Sequence, residues 1–114
     1  MPTFQLDFDQ LESSTDQRAV FAIKGKLSLE TVSEFVQKMR PQPAAHLVLD
    51  MSGVTFLDSA GVGSLVSLFV NRRNGSRTLA LAALSPQSTA VVTVAGLQKL
   101  LPIYKTLDEA LKSA

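Results

Sequence analysis

The sequence has 114 residues, enough for one domain with its own core but not for two. Eleven lysines and arginines stand against ten aspartates and glutamates, and cysteine is absent, so a basic nucleic-acid surface, a disulfide framework and thiolate sites are all disfavoured. The first residues lack the pattern of a signal peptide, and the apolar run at residues 65–70 is too short to span a bilayer. We therefore expect one cytoplasmic domain over residues 1–114, without membrane insertion or direct nucleic-acid contact.

Two strands are predicted at the beginning of the chain. Residues 3–8 alternate between apolar and polar side chains, and after a polar loop residues 18–24 form a second apolar segment, so the two are expected to pair antiparallel. Ser28 then resembles a helix N-cap, because apolar residues follow it at helical spacing. These are Leu29, Val32, Phe35, Val36 and Met39.

The middle of the chain predicts a buried strand followed by a long helix. The continuous apolar run at residues 47–49 is typical of a central strand that is covered on both faces. From Ser59 onward, the apolar residues Val62, Leu65, Val66, Phe69 and Val70 line one face of a helix. Arg72 and Arg73 suit the negative end of that helix as solvated charges, and Gly75 suits its C-cap.

The last third of the chain continues the alternation of strands and helices. Residues 78–83 predict a buried strand, and Ser85 with Pro86 predicts a helix start. Residues 89–95 are rich in β-branched side chains, which favours a strand, but the Ser-Pro start and Gly96 favour a helix, which we predict. A short strand at 101–104 and a helix at 107–112, with a capping box of Thr106 and Glu109, complete the chain.

The predicted order of elements is ββαβαβαβα, which indicates an α/β domain. Its sheet is expected to be mixed but mainly parallel, with four to five strands and about four helices.

The most informative segment lies between the central strand and the long helix. Residues 50–63 have the sequence Asp-Met-Ser-Gly-Val-Thr-Phe-Leu-Asp-Ser-Ala-Gly-Val-Gly. Ser59 falls at or beside the N-cap, where free amides and the helix dipole favour an anion. Gly61 and Gly63 would let a partner's backbone approach the Ser59 hydroxyl. The ordinary alternative, which residue types alone favour, is that Ser59 is a simple cap and the glycines allow tight packing between helix and sheet.

This segment resembles the signature of STAS domains, specifically of the anti-sigma factor antagonists. The resemblance extends to Leu84-Ser85-Pro86, Gly96-Leu97 and residues 101–104 and 106–111. It implies a binding switch rather than an enzyme, without cofactor or metal, in which Ser59 is the phosphoacceptor. In the family, a protein that is both a serine kinase and an anti-sigma factor phosphorylates this serine. The unphosphorylated antagonist binds that partner and frees the sigma factor, and the phosphorylated form dissociates.

The expected partner-binding face surrounds Ser59. It comprises Ser28, Asp58, Ala60, Gly61, Val62, Gly63 and Ser64. We expect the turn at residues 58–61 to be exposed, and Val62 to anchor a partner if it faces outward, although its helical spacing also suits the core.

The sequence departs from the family at one position. Many members carry an aspartate in a Gly-x-Leu-Asp pattern where this chain has Gly25-Lys26-Leu27-Ser28. This departure slightly favours an alternative in which the chain is a STAS subunit of a larger machine. Such a machine could be a lipid-transport ATPase or a stress-sensing complex, with Ser59 packed against a partner and not phosphorylated.

Overall fold

The computed structural model describes residues 5–113, and its elements follow the predicted order. The strands are β1 (Asp7–Gln10), β2 (Arg18–Leu27), β3 (His46–Leu57), β4 (Thr78–Ala82) and β5 (Ile103–Tyr104). The helices are α1 (Val32–Met39), α2 (Ser59–Asn74), α3 (Pro86–Val94) and α4 (Leu107–Ser113).

The five strands form one sheet in the order β1-β2-β3-β4-β5. β1 and β2 are antiparallel, as predicted, and every other neighbouring pair is parallel. β3 is the longest strand, and its two halves have different neighbours. It pairs with β2 from His46 to Leu57, but with β4 only over residues 46–50. The second half of β3 therefore extends beyond β4, and it leads through Asp58 to Ser59, the first residue of α2.

The sheet separates two unequal hydrophobic clusters. Leu47, Leu49 and Met51 of β3 face the larger one, which also holds buried residues of α1, α2 and α3. Val48 faces the smaller one, which α4 covers through Ala110. Alternate residues of β3 thus face opposite hydrophobic clusters. The prediction of a central strand that is covered on both faces is confirmed.

Several strand boundaries differ from the sequence prediction. β1 begins at Asp7 rather than at residue 3, and residues 3 and 4 lie outside the described part of the chain. β2 and β3 continue to Leu27 and Leu57, well past the apolar runs that identified them. Pairing between these two strands extends both of them, and such long-range pairing leaves little trace in local composition.

The helix prediction at residues 89–95 is confirmed, because α3 spans Pro86–Val94. The Ser85 hydroxyl accepts a hydrogen bond from the Ser88 amide at 3.1 Å, and Gly96 has a positive φ of 74° just after the helix. The caps at both ends thus outweigh the strand propensity of the β-branched residues between them. Likewise, the Thr106 hydroxyl accepts from the Glu109 amide at 3.1 Å at the start of α4.

The predictions for the second half of α2 are wrong at two positions. Val70, assigned to the apolar face, is exposed, whereas Leu68 is buried. Arg72, assigned to solvent, is fully buried. Its guanidinium donates to the carbonyl oxygens of Thr78 (2.7 Å), Gln42 (3.0 Å) and Ala44 (2.6 Å).

Burial, and to a smaller extent the nearby charge of Arg77, lowers the pKa of Arg72 to about 10. Arg72 therefore remains protonated at neutral pH, and its charge is satisfied by backbone carbonyls.

Candidate functional site

Ser59 lies where the extended half of β3 turns into α2. Asp58 is the N-cap, with an extended backbone, and its Oδ1 accepts a hydrogen bond from the Gly61 amide at 2.8 Å. Ser59 is the first helical residue and its side chain is exposed. Because Asp58 supplies the cap, the Ser59 hydroxyl is not needed to hold the helix end and stays available at the carboxyl edge of the sheet.

Asp58 also connects α2 to the loop between β2 and α1. Its second oxygen, Oδ2, accepts from the Leu29 amide at 3.1 Å. The same loop is held internally by Thr31, whose hydroxyl accepts from the Ser28 amide at 3.0 Å and donates to the Lys26 carbonyl at 2.7 Å. One carboxylate thus fixes the position of a neighbouring loop relative to Ser59.

The predicted role of Ser28 as a helix N-cap is wrong. α1 begins at Val32, so Ser28 lies in a turn before the helix, and its side chain is only 3% exposed. The Ser28 hydroxyl donates to Oε1 of Glu30 at 3.0 Å, and Glu30 is exposed. The carboxylates near this loop are therefore those of Glu30 and Asp58.

Leu29, which the sequence placed on the buried face of α1, is 70% exposed. The error has a physical cause: the hydrogen bond from the Leu29 amide to Asp58 joins residues 29 positions apart, and local periodicity cannot detect it. An exposed leucine whose amide bonds the residue next to Ser59 is a feature that the local sequence pattern did not predict.

The predicted partner face is only partly accessible. Asp58 and Ala60 are half-buried, and Gly63 is exposed, but Gly61 is buried, so the turn at residues 58–61 is not exposed throughout. Val62 and Ser64 are buried as well, and Val62 belongs to the larger hydrophobic cluster. Val62 therefore cannot serve as an outward anchor, because its helical spacing directs it into the core.

The two glycines of the first turn have different roles. A methyl group at Gly61 would overlap the Leu27 carbonyl oxygen and lie 2.7 Å from Cδ1 of Leu57. Gly61 therefore permits close packing of α2 on the sheet. This is the alternative role of the glycines, in place of giving a partner access to Ser59. A methyl group at Gly63 would meet no atom within 4 Å. Only Gly63 leaves open space beside Ser59.

A side chain of α3 fixes the end of β3 from the other side. The Gln87 carboxamide accepts from the Leu57 amide at 2.9 Å and donates to the Leu57 carbonyl at 2.8 Å. The two residues before Ser59 are therefore both held in place: Leu57 by Gln87 of α3, and Asp58 by its hydrogen bond with the Gly61 amide of α2.

Across residues 5–113 there is no helix long and apolar enough to cross a bilayer. The same residues contain no group of three or more histidine, aspartate or glutamate side chains placed to hold a metal ion.

The chain belongs to the STAS domain family, because residues 10–110 match the model of that family. The fold is shared with an anti-sigma factor antagonist from Mycobacterium paratuberculosis, at a TM-score of 0.83 and 24% identity, covering 96% of this chain and 93% of that one. The antagonist SpoIIAA in its unphosphorylated form gives a TM-score of 0.75 and 18% identity, with 96% and 95% covered. The STAS domain of a SulP transporter from Vibrio cholerae gives 0.70 and 19%, with 87% and 81% covered.

Proposed function

We propose that this protein is an anti-sigma factor antagonist that is switched by phosphorylation of Ser59. Its unphosphorylated form binds a serine kinase that is also an anti-sigma factor, which releases a sigma factor, and its phosphorylated form dissociates. The protein acts by binding rather than by catalysis. The observation that carries the proposal is the exposed Ser59 hydroxyl, presented at the start of α2 while the neighbouring Asp58 caps the helix.

The surroundings of Ser59 favour a phosphate in the free protein. The first-turn amides of α2 include groups without helical partners, and the positive end of the helix dipole favours negative charge. The two Asp58 oxygens already accept from Gly61 and Leu29, which reduces their repulsion of a phosphate. The free phosphoprotein should therefore fold normally.

The same phosphate disfavours a packed interface. It adds about −1.5 to −2 charges at neutral pH, and burying such a charge without a partner is costly. The accessible face around Ser59 combines Gly63, the exposed leucine at Leu29 and the carboxylate of Glu30. A partner surface that packs on the small and apolar groups has no place for the added charge, so phosphorylation opposes binding.

The first test is to locate phosphate on the protein. Mass spectrometry of protein purified from its native cells, and of protein incubated with the kinase encoded beside it, should find phosphate at Ser59. Ser59→Ala should abolish the modification, whereas Ser67→Ala, which alters another exposed serine of α2, should not. Phosphate on a different residue, or none under any condition, would overturn the switch.

The second candidate function is that of a STAS subunit in a larger assembly, such as a lipid-transport ATPase or a stress-sensing complex. The fold shared with a transporter STAS domain supports it, as does Ser28 at the position where many antagonists have an aspartate. Neighbouring genes distinguish the two candidates: a kinase and a sigma factor favour the switch, and transporter components favour the subunit.

A further inference from the structure

A groove of about 650 Å³ runs between α2 and α3, and Ser59 lies in its lining. This volume falls within the range of small-molecule sites, about 300 to 1,000 Å³. The α2 wall consists of Ser59, Val62, Gly63 and Val66.

The groove exists because the facing side chains are too small to fill it. Gly63 contributes no side chain, and a methyl group there would meet nothing within 4 Å. On the α3 wall, Ala90 is small, and Val94 is 88% exposed instead of packing inward. Both helices are anchored in the larger hydrophobic cluster, α2 through buried Leu65 and α3 through buried Val92. The walls are therefore held apart by the core, and the groove is already formed without a ligand.

The lining of the groove is apolar except at one residue. Every residue that lines it is uncharged, and Ser59, in the first turn of α2, is the one with a polar side chain. A ligand with a hydrocarbon chain in the groove would shield these walls from water, and the polar end of the ligand would lie beside the Ser59 hydroxyl. A carboxylate suits that end best, because the positive end of the α2 dipole lies there and the Asp58 oxygens are already engaged by two amides.

We propose that this groove binds one free single-chain fatty acid of medium length, with its hydrocarbon chain between α2 and α3 and its carboxylate at Ser59. Occupancy would cover Ser59. The proposal does not depend on phosphorylation, since its ligand and its measurement involve no kinase.

The test uses the full chain with octanoate, decanoate and dodecanoate below their micelle concentrations, measured by calorimetry and by two-dimensional NMR. Each added methylene should lower Kd about fourfold until the groove is filled. Amide shifts should concentrate in residues 59–66 and 90–97. Decyltrimethylammonium should bind at least tenfold more weakly than decanoate, because its cation opposes the dipole. Equal affinity for the two would overturn the placement of the carboxylate.

Variants test the location. Gly63→Leu should fill the groove and weaken decanoate binding at least tenfold, and Ala90→Leu provides a second blocking variant in case the first does not fold. Thr93→Leu adds the same side chain to an exposed position of α3 outside the groove lining and should leave Kd unchanged. Unchanged binding in both blocking variants, no dependence on chain length, or binding to lipid vesicles without binding to free decanoate would refute the proposal.

Discussion

Arg72 is a charged side chain with a structural role inside the core. It joins the carboxyl end of α2 to the loop before β3, through Gln42 and Ala44, and to the first residue of β4, Thr78. Its charge is matched by carbonyl dipoles rather than by a carboxylate. Such an arrangement is stable only while all its partners are present, since a buried carbonyl without a donor is costly.

Arg72→Met should therefore lower the free energy of unfolding by about 3 kcal/mol, because the Thr78 and Ala44 carbonyls lose this donor, while the Gln42 carbonyl retains its hydrogen bond from Arg77. Arg73→Met is the matched control: Arg73 is the next residue of α2 but exposed, and its loss should change stability by about 0.5 kcal/mol or less. Urea denaturation of both variants measures the difference. Equal stabilities would show that the buried contacts contribute little.

The first-turn glycines provide a second matched pair. Gly61→Ala should destabilise the domain by about 1–3 kcal/mol, because the methyl group would overlap the Leu27 carbonyl. Gly63→Ala should raise stability by up to about 1 kcal/mol, since it removes a glycine from a helix without a clash. Thermal unfolding checks both signs, and a stabilising Gly61→Ala would contradict the packing described for α2.

Among the elements, β3 and α3 are joined most directly by Gln87. Its carboxamide makes both hydrogen bonds to Leu57, at the end of the strand that leads to Ser59. The position of Ser59 therefore depends on α3 as well as on the cap of α2.

Gln87→Ala should lower stability by about 1–2 kcal/mol, because the Leu57 amide and carbonyl both lose a partner. Hydrogen exchange at the Leu57 amide should accelerate together with this loss. The control is Gln98→Ala, at an exposed glutamine after α3, which should be within about 0.5 kcal/mol of the parent protein. If hydrogen exchange at the Leu57 amide stays unchanged in Gln87→Ala, the two hydrogen bonds from Gln87 do not protect this end of β3.

At the scale of the whole molecule, binding to the partner should respond to charge at one position without a change in fold. Ser59→Ala should bind the proposed kinase partner but resist switching, and Ser59→Glu should bind at least tenfold more weakly. Both should keep the parent stability within about 0.5 kcal/mol, since Asp58 and not Ser59 caps α2.

Calorimetric titration with the purified partner tests this expectation. Ser67→Glu places the same charge on an exposed position further along α2 and should bind like the parent protein. If Ser59→Glu and Ser67→Glu bind equally well, charge at Ser59 does not control the interface.

Element order and the STAS family could be predicted from the sequence, because period changes, caps and the segment at residues 50–63 are local signals. The exposed position of Ser59 at the start of α2 was predicted from the same local signals, and its role as the phosphoacceptor stays a prediction. Leu29, Arg72 and Gln87 were missed, and all three are defined by hydrogen bonds to residues distant in the chain. Local patterns carry no information about such partners, so the loop beside Ser59 and the buried arginine became visible only in three dimensions.

The extended half of β3 leaves part of a strand edge without a neighbouring strand inside the sheet. The Asp58 amide is directed toward β2, where it reaches the Leu27 carbonyl, so the Leu57 backbone groups are directed to the opposite side. There, the Gln87 carboxamide offers a donor and an acceptor in the arrangement of a peptide group. At Leu57 a single side chain thus takes the place of a neighbouring strand. We expect it to disfavour self-association at this end of the edge, because an open edge is a template on which the strand of another molecule can add.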